Sequence, residues 1–405
     1  MKNRLRFLGC LCFGIMPLIA MADDIPSWIG NADNAFAFDL YARLAAPDQS
    51  NLFFSPISIQ TALAMTYAGA RGQTASQMAA VLHLPAGRDT VNKDLGNFLR
   101  VLNAANTSGA TPPYQLSVAN ALWGQKGYNF LPAFLKLLGS DYAAGLRQLD
   151  FEHDSEGARE EINSWVAKET MNKIQNLIGP GALTPLTRLV LTNAIYFKGT
   201  WQDQFDKQAT RDDIFHLSAD TQSKVPMMQR TGDYSYTDSP DYQALCLPYA
   251  GRDLSMVILL PRAVDGLPQL EKALTAKALT DLLGGMDDQQ VQVSIPKFKM
   301  TGEFELGPVL ESMGMRDAFG TGSDFSGMTG NKDLSISEVI HKAFVEVNEQ
   351  GTEAVAATGI AMTTAMAGPV QIEEFHADHP FLFLIRDQRS GTILFIGRVA
   401  DPNAS

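Results

Sequence analysis

One segment near the C-terminus limits the folds available to this chain more than any other part of the sequence. Residues 354–372 contain no charged side chain, although charged residues make up 19% of the chain. A membrane-spanning helix is one interpretation, but Thr358, Gly359, Gly368 and Pro369 make the segment too polar and too interrupted for it. Two interpretations remain: a disordered linker rich in Ala and Thr, or a buried strand.

The spacing of the small residues favours the strand. Every second residue from Thr352 to Thr364 is uncharged, and the first four of them are small. The alternate positions hold Glu353, the only charged residue of this stretch. Because successive strand residues face opposite sides, one face could enter a close-packed core while Glu353 stays in solvent. The pattern therefore predicts a strand that can be added to an existing sheet.

Helical patterns dominate the first half of the chain, and strand patterns dominate the second. Ser55 followed by Pro56 is typical of a helix N-terminus, and Asp154 is a second predicted N-cap. Strand patterns lie at 189–197, 242–248, 254–260, 291–299, 336–348, 381–386 and 392–399. This order predicts an α+β fold with large sheets. No repeat or linker divides the sequence, so we predict a single domain over residues 23–405.

The N-terminus has the pattern of a secretory signal peptide. Basic residues within positions 2–6 precede a mostly apolar stretch at 7–19, and Ala20-Met21-Ala22 supplies the small residues of a cleavage site. We expect cleavage near Ala22 and secretion, to the extracellular space or a periplasm; an uncleaved membrane anchor is the alternative. Cleavage would leave Cys246 as the only cysteine, so no internal disulfide could form.

Charge and motifs exclude several functional classes. The net charge of −12 disfavours nucleic acid and anionic membranes as partners. The common hydrolase, zinc-protease and nucleotide-binding motifs are absent from the sequence, so we predict no catalytic residues, no metal site and no cofactor. Ser294 and Lys297 match an S-x-x-K motif, but the surrounding alternation indicates a strand, on which these two residues would face opposite sides. The chain is therefore predicted not to be an enzyme.

Six motifs, in the same order along the chain, resemble those of the serpin family, which inhibits serine and cysteine proteases. They occupy residues 51–58, 193–201, 247–261, 341–343, 348–354 and 378–383. The resemblance spans essentially the whole chain after the predicted signal peptide. It implies an α+β serpin fold with three β-sheets, about eight or nine helices and an exposed reactive-centre loop at about residues 349–370.

The resemblance also implies a suicide mechanism. A target protease cleaves the loop and is acylated, the loop then inserts into the main sheet as a new central strand, and the acyl-enzyme is trapped. The implied loop hinge consists of Glu349, Gly351, Thr352, Glu353, Ala354, Val355, Ala356 and Ala357. Its small residues favour an inhibitory member. The alternative is a non-inhibitory serpin that acts as a binding or carrier protein.

Two further groups of residues acquire roles from the resemblance. Glu349 is expected to pair with Lys297 at the insertion point, with Trp201 packed nearby. A hydrogen-bonded cluster beneath the opening of the sheet would consist of Ser55, Ser58, Asn193 and His341. We call these four residues the sheet-opening cluster.

The family's spacing places the reactive bond at Ala365-Met366, or at Met366-Ala367 in a shifted register. A small aliphatic residue suits elastase-like or subtilisin-like serine proteases, and Met also suits a chymotrypsin-like one. No Lys or Arg occurs between residues 343 and 385, which disfavours a trypsin-like target. We expect a monomer that partners a serine protease, with a cysteine protease as an open alternative. Residues 88–103 carry too few net basic charges to predict a heparin-type cofactor.

Overall fold

The computed structural model describes residues 25–104, 113–142, 144–352 and 371–404. These residues form an α+β fold, as the sequence predicts. Ten α-helices lie within them, slightly more than the eight or nine that the resemblance implies. They are α1 (Ser27–Leu44), α2 (Pro56–Tyr67), α3 (Gly72–Val81), α4 (Arg88–Ala104), α5 (Pro132–Asp141), α6 (Ser155–Glu169), α7 (Leu267–Ala273), α8 (Ala276–Gly284), α9 (Gly307–Met313) and α10 (Ser326–Thr329).

The helix starts follow the sequence signals. The Ser55 side chain accepts a hydrogen bond from the Ser58 backbone N–H at the N-terminus of α2, where Pro56 takes the first helical position. Asp154 caps α6 by accepting from the Gly157 N–H at 2.9 Å. All residues of α2 are buried, so this helix lies inside the molecule. Within the described residues, no helix has the length and apolarity needed to span a bilayer.

Fifteen strands and one 3-10 helix (Asp317–Phe319) also lie within the described residues. The strands are β1 (Leu52–Phe54), β2 (Tyr114–Gln125), β3 (Leu146–Leu149), β4 (Leu189–Thr200), β5 (Arg211–His216), β6 (Gln222–Asp238), β7 (Tyr242–Pro248), β8 (Leu254–Pro261), β9 (Asp287–Pro296), β10 (Phe298–Glu305), β11 (Glu338–Asn348), β12 (Gly351–Thr352), β13 (Glu373–His376), β14 (Phe381–Asp387) and β15 (Ile393–Val399). One sheet has six strands in the order β10-β11-β12-β4-β2-β3. We call it the main sheet.

The other nine strands form one continuous sheet, in the order β1-β15-β14-β8-β7-β6-β9-β13 with β5 paired to β6. The resemblance implies three β-sheets, and two of these three sets of strands are hydrogen-bonded to each other in this nine-stranded sheet. The reason is the length of β6, which has 17 residues. Its stretch from Met227 to Tyr236 pairs with β9, and its end from Ser235 to Asp238 pairs with β7, so one strand joins the two halves.

The main sheet has a helix on each face. Helix α2 packs against β2 and β4 on one side and also contacts β15 of the second sheet. Helix α6 covers the other side, where Ile162 and Val166 are fully buried against strand residues such as Ala121 and Ala194. In the centre of the sheet, β4 and β11 run parallel and pair directly from Val190–Glu338 to Tyr196–Phe344. Beyond that point they are separated by β12, which positions the candidate site.

Candidate functional site

The site begins where β12 fills the gap between β4 and β11. Thr352 lies opposite Val347 on one side and Gly199 on the other, and both pairings are antiparallel. Gly351 has a φ of 146°, and a Cβ atom there would lie 1.9 Å from the Gly199 carbonyl oxygen, so this position requires glycine. Thr352, the first residue of the predicted strand, is thus part of the sheet, and the rest of that strand lies outside the described residues.

The Thr352 side chain is enclosed. It is 0% exposed, and its hydroxyl lies 2.8 Å from the Tyr249 hydroxyl. The Tyr249 ring is also buried and stacks on Trp201, with 4.7 Å between the ring centroids. Burial raises the pKa of Tyr249 well above its ordinary value, so the phenol stays neutral and can donate a hydrogen bond. The surroundings of Thr352 fit a small neutral side chain.

Glu349 anchors the chain just before β12. Its carboxylate lies 3.0 Å from the Lys297 Nζ and accepts a 2.8 Å hydrogen bond from the Thr210 hydroxyl. Burial opposes the charge on Glu349, but hydrogen bonds from its own backbone amide, Lys297 and Thr210 outweigh burial and lower the pKa of this carboxyl. The Glu349 side chain is only 5% exposed, so loss of Lys297 would leave a nearly buried charge without its cation.

Trp201 holds the turn between β11 and β12. Its indole N–H donates to the Asn348 carbonyl oxygen at 3.0 Å, and its backbone N–H donates to the Gln350 carbonyl oxygen at 2.9 Å. The Phe205 backbone N–H donates to the Glu349 carbonyl oxygen at 2.8 Å. The structure therefore brings Trp201, Lys297 and Glu349 together at the end of β11.

The sheet-opening cluster also comes together beneath the direct β4–β11 pairing. The Ser55 backbone N–H donates to the His341 Nε2 at 3.2 Å, which leaves the proton on Nδ1, where His341 contacts the Asn193 side-chain oxygen. The Asn193 amide donates to the Ser58 hydroxyl at 2.6 Å. Ser55, Ser58, Asn193 and His341 are all 1% exposed or less. The cluster thus links α2 to β4 and β11, which pair directly with each other here.

The sequence reasoning missed three residues of this site. Asn120 in β2 lies opposite Asn193, and its side-chain oxygen accepts hydrogen bonds from Ser58 and Asn193. Tyr249 and Thr210 contact Thr352 and Glu349 as described above. One signal was available for Asn120, because it is the only amide residue in an apolar and small stretch, Val118–Trp123. Tyr249 lies within a family motif, but nothing local indicates its partner.

Several predicted residues lie outside the described part of the chain. These are the remaining hinge residues Glu353, Ala354, Val355, Ala356 and Ala357, and the reactive-bond residues Ala365, Met366 and Ala367. Residues 1–22, the predicted signal peptide, also lie outside it. The described chain resumes at residue 371, just before β13, which pairs in parallel with β9.

The burial of His341 gives the cluster a pH dependence. Burial lowers the pKa of His341 to about 3, below the ordinary value of about 6.5 that it regains on unfolding. As the pH falls below 6.5, the unfolded chain takes up a proton that the folded chain does not, so stability is lost. The expected loss is about 1.4 kcal/mol per pH unit between pH 6 and 4 from this residue.

Urea unfolding at several pH values would measure this contribution. We expect His341→Gln to be less stable at pH 7 but to lose less stability on acidification than the wild type. His216→Gln removes a histidine outside the cluster, for which no ion pair is seen among the described residues, and serves as the matched control. Equal acid dependence in wild type and His341→Gln would contradict the assignment.

Comparison with known proteins gives consistent matches along the chain. A family model described as Serpin (serine protease inhibitor) matches residues 31–402. Leukocyte elastase inhibitor from Xenopus laevis is 43% identical over 383 residues, covering 92% of this chain and 99% of that protein. Among solved structures, uncleaved ovalbumin is 32% identical, with a TM-score of 0.83 over 92% of this chain and 100% of ovalbumin. Human thyroxine-binding globulin is 29% identical, with a TM-score of 0.84 over 93% and 99% of the two chains.

The predicted secreted location is wrong by this comparison. The Xenopus leukocyte elastase inhibitor and serpin B6 from Pongo abelii are matched over 99% of their own lengths but over only 92% of this chain. These relatives therefore contain almost no residues that would correspond to a leader. The match to the family model starts at residue 31. The prediction rests on the local pattern of residues 1–22 alone, and an apolar segment after basic residues does not establish export.

Proposed function

The chain belongs to the serpin family, and from this premise we propose that it is a suicide inhibitor of serine proteases. The observation that carries the proposal is the position of β12, since Gly351 and Thr352 pair with both β4 and β11. At every second position, the residues that follow Thr352 are uncharged, and the first of them are small. They would therefore fit between β4 and β11 as Thr352 does. The relatives include leukocyte elastase inhibitors, whose name describes protease inhibition.

The strand directions favour insertion. Strands β4 and β11 run parallel to each other, whereas β12 runs antiparallel to both. A strand that continues β12 through the sheet would replace one parallel pairing with two antiparallel pairings. Antiparallel pairing is slightly more stable per residue, and the number of inter-strand hydrogen bonds would roughly double. Opening the sheet would also require β4 and β11 to separate at the sheet-opening cluster.

The proposed chemistry is that of an interrupted peptide hydrolysis. The catalytic serine of the protease attacks the carbonyl carbon of Ala365, and the C–N bond to Met366 breaks. The amine of Met366 leaves with a proton, and an ester joins the protease to Ala365. Insertion of the loop then carries the protease along the sheet and distorts its active site, so water does not hydrolyse the ester. Each inhibitor molecule is consumed once.

We propose an elastase-like or subtilisin-like protease as the target. A pocket for a small side chain accepts Ala365, and the alternative bond Met366-Ala367 would place methionine there, which also suits a chymotrypsin-like protease. A trypsin-like protease has an acidic pocket that binds Lys or Arg, and the loop contains neither, so a protease of this class is disfavoured as a target. We propose that the inhibitor acts as a monomer on one protease at a time, and a cysteine protease is the second target class to be tested.

A second candidate function is that of a non-inhibitory carrier. It is favoured by the structural similarity to human thyroxine-binding globulin, at a TM-score of 0.84. The small residues of the hinge favour inhibition over this alternative, because a carrier has no need of a strand that fits the main sheet.

Incubation with active proteases tests the proposed function. We expect pancreatic elastase or subtilisin to form a complex with the chain that survives boiling in detergent, and trypsin to form little or none. A protease whose catalytic serine is replaced by alanine is the matched control, because it can bind the loop but cannot form the ester. Loop cleavage without a stable complex, across serine and cysteine proteases, would contradict the proposal.

A further inference from the structure

We propose that an open cavity beside the turn between β11 and β12 binds the phosphate chain of a small polyphosphate. The cavity has a volume of about 710 Å³, and cavities of about 300–1,000 Å³ are usual for small-molecule sites. Four segments line it: the chain after β4, the junction of β9 and β10, the end of β11 with the turn that follows it, and the C-terminal residues after β15. Binding there needs no protease and therefore goes beyond the proposed inhibition.

Three lysines line the cavity: Lys207, Lys297 and Lys299. The Lys297 ammonium lies 3.0 Å from the Glu349 carboxylate. Within the described part of the chain, Lys207 and Lys299 form no ion pair, and the Lys299 ammonium lies over the Phe344 ring at 5.3 Å from its centroid. A lysine ammonium carries three N–H donors and is a common phosphate ligand, so these two unpaired groups favour an anion.

Two glutamates also line the cavity and decide how much positive charge is available. The Glu349 side chain is 5% exposed and already accepts hydrogen bonds from Lys297 and Thr210. Glu346 lies opposite Lys299 in the register of β10 and β11, but it forms no ion pair among the described residues. The unpaired charges are therefore two ammonium groups and one carboxylate, which leaves a net positive charge for a ligand.

Gln350 provides a neutral donor at the same cavity. The residue is 8% exposed, and its side-chain amide forms no hydrogen bond within the residues that the structure describes. Its backbone is already paired, since the N–H donates to the Asn348 side chain at 3.0 Å and the carbonyl accepts from the Trp201 N–H at 2.9 Å. A buried amide without a protein partner is normally satisfied by water or a ligand. The Gln350 amide can therefore donate to a phosphate oxygen.

The walls of the cavity favour a chain of phosphates over other anions. The apolar side chains in the lining are Phe298, Val347 and Pro402, and each of them is buried, so an amphipathic ligand would find little apolar surface to cover. A single phosphate is small for this cavity, whereas a triphosphate can contact the lysines and the amide together. The same chain occurs in inorganic polyphosphate and in nucleoside triphosphates, and titration with each separates the two sources.

The position of the cavity predicts what binding would do. Lys297 directly precedes β10, and Gln350 directly precedes β12. Asn403 lines the cavity from the C-terminal segment, which it fastens to β6 by donating to the Ser223 hydroxyl at 2.8 Å. A ligand that contacts these residues would join the start of β12 to β10 and to the C-terminal segment. Binding should raise the melting temperature of the intact chain, since a ligand that binds only the folded form adds to its stability.

Calorimetric titration of the intact chain with tripolyphosphate, in a metal-free buffer of fixed ionic strength, tests the site. We expect saturable binding to one site with a dissociation constant below about 1 mM, and at least about tenfold weaker binding of orthophosphate. ATP that binds as tightly would add nucleoside triphosphates as a source of the chain, and much weaker binding of ATP would leave free polyphosphate; both results support the phosphate chain as the ligand. No saturable binding of tripolyphosphate, equal binding of orthophosphate, or binding of ATP alone would overturn the proposal.

Charge variants locate the binding. Lys207→Gln combined with Lys299→Gln removes both unpaired lysines and should weaken tripolyphosphate binding at least about tenfold. Lys136→Gln combined with Lys277→Gln is the matched control, because these two lysines are exposed on α5 and α8 and do not line the cavity. Glu346→Gln removes the unpaired carboxylate and should tighten binding about threefold. Equal weakening by both lysine pairs would overturn the location, and because no protease is present, that result leaves the proposed inhibition untouched.

Discussion

Thr352→Arg is expected to convert the inhibitor into a substrate that proteases cleave without being trapped. The Thr352 side chain is fully buried between β4 and β11 and contacts the Tyr249 hydroxyl. An arginine in this position would bury a charge beside the neutral Tyr249 hydroxyl, which costs several kcal/mol. The hinge would leave the sheet, insertion would slow, and hydrolysis of the acyl-enzyme would finish first.

The measurement is the number of inhibitor molecules consumed per trapped protease, from titration of elastase activity and the yield of detergent-stable complex. We expect at least a tenfold rise for Thr352→Arg. Thr352→Ser is the matched control, because it keeps a small side chain and a hydroxyl for Tyr249, and should trap as the wild type does. An unchanged complex yield in Thr352→Arg would contradict insertion at β12.

Cleavage of the loop is expected to raise the melting temperature of the wild-type chain by about 10–20 °C. Insertion of residues 352–364 would add about a dozen hydrogen bonds at about 1 kcal/mol each. For a chain of this length, the unfolding entropy is about 0.8 kcal/mol per kelvin, so this gain corresponds to a rise of that size. In the proposed mechanism, this gain in stability is the source of the energy for trapping.

The experiment is thermal unfolding, followed by circular dichroism, before and after limited cleavage of the loop by a protease that the chain does not trap. Cleaved Thr352→Arg is the control, and its melting temperature should rise much less, because its hinge resists insertion. The carrier alternative predicts no large rise in the wild type. An unchanged melting temperature after confirmed cleavage would therefore favour the carrier over the inhibitor.

The parts of the fold that could be predicted from the sequence depend on local patterns. Ser55-Pro56 begins α2 and Asp154 caps α6, because capping is decided within four residues. The small alternate residues after Gly351 predict a strand over residues 352–364; its first residue, Thr352, lies in β12, and residues 353–364 lie outside the described part of the chain. The pairing of Glu349 with Lys297 followed from the family resemblance, since nothing local joins residues 52 positions apart.

The features that could not be predicted depend on contacts between distant segments. Tyr249 meets Thr352 across 103 positions, and Asn120 meets Asn193 across 73. The continuity of the larger sheet depends on β6 having two partners at its two ends, which the alternation of one strand does not reveal. The prediction of a secreted location is wrong for a different reason. The pattern of residues 1–22 is local, and a local pattern does not determine the location of the whole protein.

The central claim is that the chain forms an ester with its target protease and then holds it. Intact-mass spectrometry of the denatured product with elastase tests this most directly. We expect a covalent adduct of the protease with the N-terminal fragment that ends at Ala365. Its mass should equal the mass of the protease plus the mass of the free fragment, less one water. A second, unattached fragment should start at Met366. Met366-Ala367 as the cleaved bond would shift both masses by one methionine. Free protease with two unattached fragments would contradict the account.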